Sequence, residues 1–435
     1  MSLVEILVGL VIGLIGILVI FQVLSVSESR KRTSVQGSDA QSAGAIGLYT
    51  LQRDVQLAGY GFGGADAAQL GCLVKASDKD RAGVDINFNL IPVQIVQGEN
   101  IPPGAAGSPD RIVVLYGTSS QFTTARVWSN SAAAPRMASG RGGLDYGDLV
   151  VLTGASAGPK SDCVLIQVTD RPTADPNDIT YDGDYTVNAG ETLRTCALSQ
   201  YKPDCATPTP RFYKGAPWAA PDLNATSGSA LNLGKQPRRN AWEVCTAAAV
   251  NDTLSPCYQR GELLNRLIVA DSIFTGDSPP VAKLFGDART EAADNIVDLQ
   301  AEYGIDRNNN QLIDANEWTV TPPDDTKVPS DLAAPCSIDN PVRSWGCVRA
   351  IRVALLARST QWDRTACSPN PQWTSGAGGA LALTDFVMTN VDGSAGAAAT
   401  TACPLAPDAN DWRQYRYSVY ETVIPLRNMI WGTAP

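Results

Sequence analysis

Apolar residues are concentrated at the start of the chain: Ile6 to Leu24 carries no charge and one strongly polar residue, Gln22. A helix of about 20 such residues, rising about 1.5 Å per residue, crosses a hydrocarbon core of about 30 Å. The segment opens Met1-Ser2-Leu3-Val4-Glu5, without a basic stretch, and runs into Ser25-Val26-Ser27-Glu28 without a small-residue cleavage site. It therefore reads as a retained span, not a removed signal peptide. Ser25 to Ala58 then has no proline and sets apolar or small residues at Ile46, Tyr49, Leu51, Val55 and Ala58, with Arg53 and Asp54 interleaved. That pattern predicts an amphipathic continuation of the same helix, ended by Gly59-Tyr60-Gly61. About 55 helical residues reach roughly 80 Å, half in the membrane and half against a globular head.

From there the pattern changes to short β-branched runs separated by Gly, Pro, Asn and Asp clusters. Strands are expected at Ile112 to Tyr116, Leu149 to Thr153, Val164 to Val168, Leu267 to Phe274, Ile351 to Leu355 and Tyr415 to Ile424. Val348 to Arg358 fits a helix as well as a strand, and periodicity does not separate the two. Segments 172–261 and 374–401, rich in turn formers or in Gly, Ala and Thr, read as surface insertions. A long N-terminal helix followed by mostly antiparallel sheet is an α+β class. Three regions follow: residues 1–24 as a transmembrane helix, 25–60 as its amphipathic continuation, and 61–435 as a β-rich head.

Composition narrows the chemistry. The 435 residues include 34 Lys plus Arg against 44 Asp plus Glu, a net charge of -10, so no global positive field is present to hold nucleic acid. With no histidine, Ser-His-Asp and Cys-His nucleophiles and His-ligated zinc are excluded, and no catalytic string stands out. Enzyme activity is not expected. Arg30, Lys31 and Arg32 sit on the translocated side of the span, against the positive-inside tendency, and read as a solvated or packing face. Gly140-Arg141-Gly142-Gly143 lacks the Lys-Ser/Thr of a phosphate loop, and Asp178, Asp182 and Asp184 lack a completed loop, so both read as turns.

The ten cysteines are Cys72, Cys163, Cys196, Cys205, Cys245, Cys257, Cys336, Cys347, Cys367 and Cys403, an even set without a CxxC, as in oxidised extracytoplasmic proteins. Ten cysteines allow about 945 connectivities, which sequence does not fix; the pairing expected is Cys196–Cys205, Cys245–Cys257, Cys336–Cys347 and Cys367–Cys403, with Cys72 left for Cys163. Each closed loop would add about 2 to 4 kcal/mol.

One twelve-residue stretch has the spacing of a calcium loop. Asp306, Asn308, Asn310, the Leu312 carbonyl, Asp314 and Glu317 fall at positions 1, 3, 5, 7, 9 and 12, which supplies the six or more oxygens a hard cation takes. Position 6 is Gln311 where such loops have glycine, so a side chain has to accept the left-handed backbone of the turn. The alternative is an Asn-rich turn with a solvated acidic flank. A bound calcium would staple the loop, since no nucleophile or base accompanies it.

A carboxylate at Glu5, inside an apolar helix, is costly and marks function by default. The cation nearest in sequence is the amine of Met1, on the same chain or a staggered neighbour; an acid at a helix N-terminus also favours the dipole. The string Ser2-Leu3-Val4-Glu5-Ile6-Leu7-Val8-Gly9-Leu10-Val11 resembles the mature N-terminus of type IV pilins and type II secretion pseudopilins. In that family a prepilin peptidase removes a basic leader and methylates the new amine. The fifth-residue glutamate then pairs with a neighbouring subunit's terminus, so Met1 would be the methylated residue. Major pilins commonly carry a proline near position 22, whereas this chain has Gln22, with Gly9, Gly13 and Gly16 along the span.

Tyr49-Thr50-Leu51-Gln52-Arg53-Asp54-Val55-Gln56-Leu57-Ala58-Gly59-Tyr60-Gly61 resembles the signature of the PilW minor pilins, relatives of the J-type pseudopilins. Further likenesses follow in the family's order at 110–116, 303–306, 348–359 and 423–428. The resemblance implies a type IV pilin-like fold whose head carries disulfide-rich insertions. It also implies a role in priming or capping a pilus. Its partners would be other minor pilins, the major pilin, the inner-membrane assembly platform and a tip adhesin. The head would lie in the periplasm of a bacterial inner membrane before assembly and at the pilus, at its tip, afterwards. A J-like secretion pseudopilin, a tip adhesin and a membrane-tethered enzyme with a carboxylate pair remain as alternatives.

Overall fold

The computed structural model describes residues 3–65, 70–77, 85–98, 108–120, 125–130, 135–137, 143–145, 147–154, 163–168, 179, 227–253, 255–271, 289–308, 310–323, 345–363, 366–376, 382–392, 394, 396 and 410–432. It opens with a 53-residue helix, α1 (Leu3–Val55). The helix ends three residues before Ala58. Turns from Gln56 to Gly64 follow it, with Gly59 and Gly61 at φ +79° and +89°, a backbone that L side chains rarely adopt.

The strands are, in chain order, β1 (Leu73–Ser77), β2 (Asp85–Asn89), β3 (Val93–Val96), β4 (Arg111–Tyr116), β5 (Arg126–Asn130) and β6 (Pro135–Met137). Next come β7 (Leu149–Gly154), β8 (Cys163–Gln167), β9 (Ser227–Gly234), β10 (Arg238–Val244), β11 (Arg266–Asp271) and β12 (Arg289–Asp294). The last six are β13 (Ile296–Ile305), β14 (Trp318–Thr319), β15 (Val348–Arg358), β16 (Gln372–Ser375), β17 (Ala382–Asp385) and β18 (Tyr417–Pro425). Two short helices, α2 (Ala247–Asn251) and α3 (Arg427–Gly432), complete the elements used below.

These strands form a sheet ordered β2-β1-β8-β7-β9-β5-β6, a second ordered β12-β11-β10-β4-β3, a third ordered β14-β13-β15-β18, and the hairpin β16-β17. Among the described residues all pairings are antiparallel except β1 with β8. The α+β class therefore holds.

Each expected strand is present: β11 is seen as far as Asp271, with 272–274 outside the described residues, and β18 starts at Tyr417, after a 3-10 turn at Trp412–Gln414. Val348 to Arg358 is a strand. As the third sheet's inner strand it is covered on both faces, which gives it the nearly unbroken apolar sequence that also suited a helix.

The reading of 172–261 as a surface insertion needs correction. Its second half supplies β9 and β10, the latter between β4 and β11 with Trp242 and Val244 buried. Gly, Ser, Asn and Arg interrupt those strands, and burial on one face outweighs weak local propensity. Within 374–401, β17 and the end of β16 form a hairpin that sets Trp373 and Phe386 against Ala354 and Leu356 of β15.

Helix α1 lies against the third sheet and β12. Ala40, Ala43, Gly44, Gly47, Leu51 and Val55 form its buried stripe, at helical spacing. Two glycines allow the close approach. A Cβ on Gly44 would collide with the Tyr420 ring of β18, and one on Gly47 would come within 3.2 Å of Ala293 and 3.3 Å of Leu267. Two disulfides have both ends among the described residues, Cys72–Cys163, from just before β1 to the start of β8, and Cys245–Cys257 across α2. Cys347 and Cys367 are also disulfide-bonded, while Cys196, Cys205, Cys336 and Cys403 lie outside the described residues.

Candidate functional site

Among the described residues, the first half of α1 stands clear of the core that the head forms. Ile6–Glu28 has a mean hydropathy of 2.9, none of it is buried, and apart from the adjoining helix itself no described atom lies within 4 Å of where a Cβ would stand on Gly9, Gly13 or Gly16. A helix this apolar and this exposed needs a bilayer or other apolar helices around it. Glu5 lies in α1; its side chain, and Met1, fall outside the described residues. The helix runs unbroken through Gln22, so the glycines do not interrupt it.

At the other end, the helix is fastened to the head by one buried carboxylate. Asp54 is buried on α1 beside Leu51 and Val55, with Ala58 buried in the turn that follows. It accepts hydrogen bonds from the Tyr116 hydroxyl (2.9 Å), from Asn240 Nδ2 (3.0 Å to each oxygen) and from Trp242 Nε1 (2.6 Å). Donors from β4 and β10 thus converge on one turn of α1. Burial pushes the Asp54 carboxyl above its ordinary range, and the bonds from Trp242, Asn240 and Tyr116 work against that rise. Just beyond, Asn428 Nδ2 of α3 reaches the carbonyls of Gln56, Leu57 and Ala58 at 3.5, 3.2 and 3.1 Å, adding a donor to the turn that follows the helix end.

The loop 306–317 joins β13 to β14, and both of its end carboxylates are buried. Asp306 accepts from the amides of Asn310 and Gln311 at 3.1 and 3.0 Å, and Glu317 accepts from those of Arg307 and Asp314 at 2.8 and 2.9 Å. Gln311 takes φ +65°, the left-handed backbone that position 6 demands. Asn308 and Asn310 each turn an amide nitrogen towards Asp314, at 3.1 and 3.3 Å, while their oxygens accept from the amides of Asn310 and Leu312. The Leu312 side chain is exposed. Among the described residues no three acidic or cysteine side chains gather around one point, so a cation here would depend on amide and carbonyl oxygens as well. The donors are hard oxygens on a tightly curled loop, which suits calcium by chemistry. Asp178, Asp182, Asp184 and 140–142 lie outside the described residues.

Three more carboxylates are buried around β13. Asp110 accepts from the amides of Gly98 (2.9 Å) and Ala301 (2.8 Å), and Asp298 Oδ1 accepts from the amide of Leu299 (2.7 Å) and from Gln300 Nε2 (2.9 Å). Glu302 accepts from the Gly376 amide (3.0 Å) and the Ser375 hydroxyl. Burial raises both Asp110 and Asp298 to about 7. Each folded carboxyl then keeps its proton where the unfolded one has lost it. Stability should fall as pH rises from about 4 to about 7 and level off above. Asp298→Asn keeps the accepting oxygen without the charge. Thermal melts of the full chain in detergent at about pH 5 and about pH 8 should therefore show a smaller loss for the variant than for wild type. Equal losses would remove Asp298 from this account.

Neither Asp54 nor Asp110 was singled out as a site from sequence. The signal for Asp54 was present: an acid on the apolar stripe, at the spacing of Leu51 and Ala58.

Residues 283–428 match the family model of PilW, the Type IV Pilus-assembly protein W. The matched stretch takes in β12, the whole sheet β14-β13-β15-β18 on which α1 lies, and the loop 306–317. No curated protein and no solved structure matches the chain.

Proposed function

We propose that the chain, whose residues 283–428 match the PilW family model, is a type IV pilus-assembly protein of that kind, a minor pilin that enters the filament by docking its exposed helix. The observation that carries this reading is the two-part helix. One half, Ile6–Glu28, is apolar and uncovered, and the other is fixed to the sheet matched by the family. Before assembly the apolar half resides in the inner membrane. In the filament it exchanges lipid for neighbouring helices, with Glu5 and the Met1 amine of adjoining subunits setting the axial register. The Asp54 anchor and the Asn428 donor keep the head at a fixed position on that helix. Its work is structural, and the partners are other pilins and the assembly platform.

Deleting the gene tests the reading. Loss of surface pili and twitching supports it, whereas intact pili with loss of secreted enzymes would place the chain in a secretion pseudopilus instead. An adhesin role predicts intact pili that no longer attach.

The loop 306–317 is proposed as a structural calcium site held by Asp306, Asn308, Asn310, the Leu312 carbonyl, Asp314 and Glu317. Its support is the twelve-residue register together with left-handed Gln311. Calcium at about 100 times its Kd would add about 2.7 kcal/mol to the folded state. Chelation should therefore lower the melting temperature of the full chain in detergent, and Glu317→Ala should abolish the response. A melt indifferent to chelator would remove the site.

A further inference from the structure

Strand β18 ends its sheet. Among the described residues it pairs with β15 alone, over nine rungs without a register shift, from Ala350 opposite Pro425 to Arg358 opposite Tyr417. The hydrogen-bond parity of that ladder follows from the bonds at its two ends. Ser359 N donates to Arg416 O at 2.8 Å, one step beyond the Arg358–Tyr417 rung, and Leu426 N donates to Arg349 O at 2.8 Å, one step beyond the Ala350–Pro425 rung. In an antiparallel pair the bonded and non-bonded rungs alternate. Ser418, Tyr420, Thr422 and Ile424 therefore spend their amides and carbonyls on β15. Tyr417, Val419, Glu421 and Val423 aim theirs at the open edge. Pro425 has that same parity, so its missing N–H costs the ladder nothing.

Side chains divide the same way. Tyr420 and Ile424 face α1 and the main core, and Tyr417 and Val419 pack on the other side near Trp373 and Phe386. On that other side Glu421 and Val423 are exposed. The result is a row of outward donors and acceptors carrying Val419, Glu421 and Val423, alongside the helix that enters the filament.

We infer that this edge receives an extended strand from a different pilin-type subunit of the same filament. The inference rests on the filament reading, because a subunit whose helix docks beside α1 brings its head to this flank. Charge selects the partner. A second copy of β18 paired about Glu421 sets carboxylate against carboxylate, which is destabilising directly across a ladder. The fitting strand places Lys or Arg opposite Glu421 and β-branched or apolar residues opposite Val419 and Val423. Glu421 and Pro425 meanwhile discourage indiscriminate edge pairing before the partner arrives.

Val423→Pro removes one outward donor and no bond to β15. Glu421→Lys reverses the charge at an exposed side chain. Both full-length variants should reach the membrane and melt as wild type does, yet be recovered in sheared filaments at least tenfold less, while Val423→Ala is recovered normally. Should Val423→Pro itself melt lower, Glu421→Lys carries the test alone. Recovery of Glu421→Lys at the wild-type level, with wild type present in filaments, overturns the inference. Absence of wild type from filaments overturns the filament reading and this pairing with it. A detergent-solubilised dimer of this chain that Val423→Pro dissolves would make the occupant a second copy and overturn the assignment to a different subunit.

Discussion

Glu5→Ala is expected to remove the chain from sheared pili while leaving its membrane level and the melting of its head unchanged. An ion pair formed in an apolar helix bundle leaves a bare charge behind when one partner is deleted, at a cost of about 3 to 5 kcal/mol. At about 1.4 kcal/mol per tenfold, that is a loss of roughly 100-fold or more in the assembly equilibrium. The head is expected to be unaffected because, among the described residues, the apolar span Ile6–Glu28 is not buried against it. The variant is read by immunoblot of sheared and membrane fractions. Wild-type recovery of Glu5→Ala would show that register is set by something other than this carboxylate.

The largest effect on the fold is expected at the opposite end of the same helix. Asp54→Ala strands the Trp242 indole and the Tyr116 hydroxyl proton and leaves the Asn240 amide only the Tyr116 oxygen to donate to. A buried donor left without an acceptor costs about 1 to 3 kcal/mol. With water reaching the less buried Tyr116, a total of about 3 kcal/mol is expected, or a fall of about 4 °C in the melting temperature of so long a chain. Asp54→Asn, which keeps one acceptor, should fall in between. If Asp54→Ala melts like wild type, the helix is held by its apolar stripe alone.

Much of this architecture was legible because the hydrophobic pattern was strong where it mattered. The apolar span, the helix beyond it and strands such as Ile112 to Tyr116 follow directly from charge-free or β-branched runs. β10 was not legible: Arg238, Arg239 and Asn240 open it, and only its place between β4 and β11 makes a strand of it. β9, with Gly228 and Gly234, reads as a turn until its neighbours supply the missing bonds. The helix–strand ambiguity at Val348 to Arg358 could not be resolved locally, since a strand covered on both faces loses the alternation that identifies strands. The anchor at Asp54 was legible in position but not in purpose, because its three donors come from residues 62 to 188 positions away. At Gln311 the expectation of a left-handed residue without glycine is met by the backbone, and the proposed cation awaits its melt.

Mass spectrometry of sheared, purified filaments from wild-type cells tests the central claim most directly. The chain is predicted to be present in them, well below the major subunit in amount, with peptides from the head and from α1 together. Filaments that contain no trace of it, while it remains abundant in the membrane, would contradict a role as a pilus subunit.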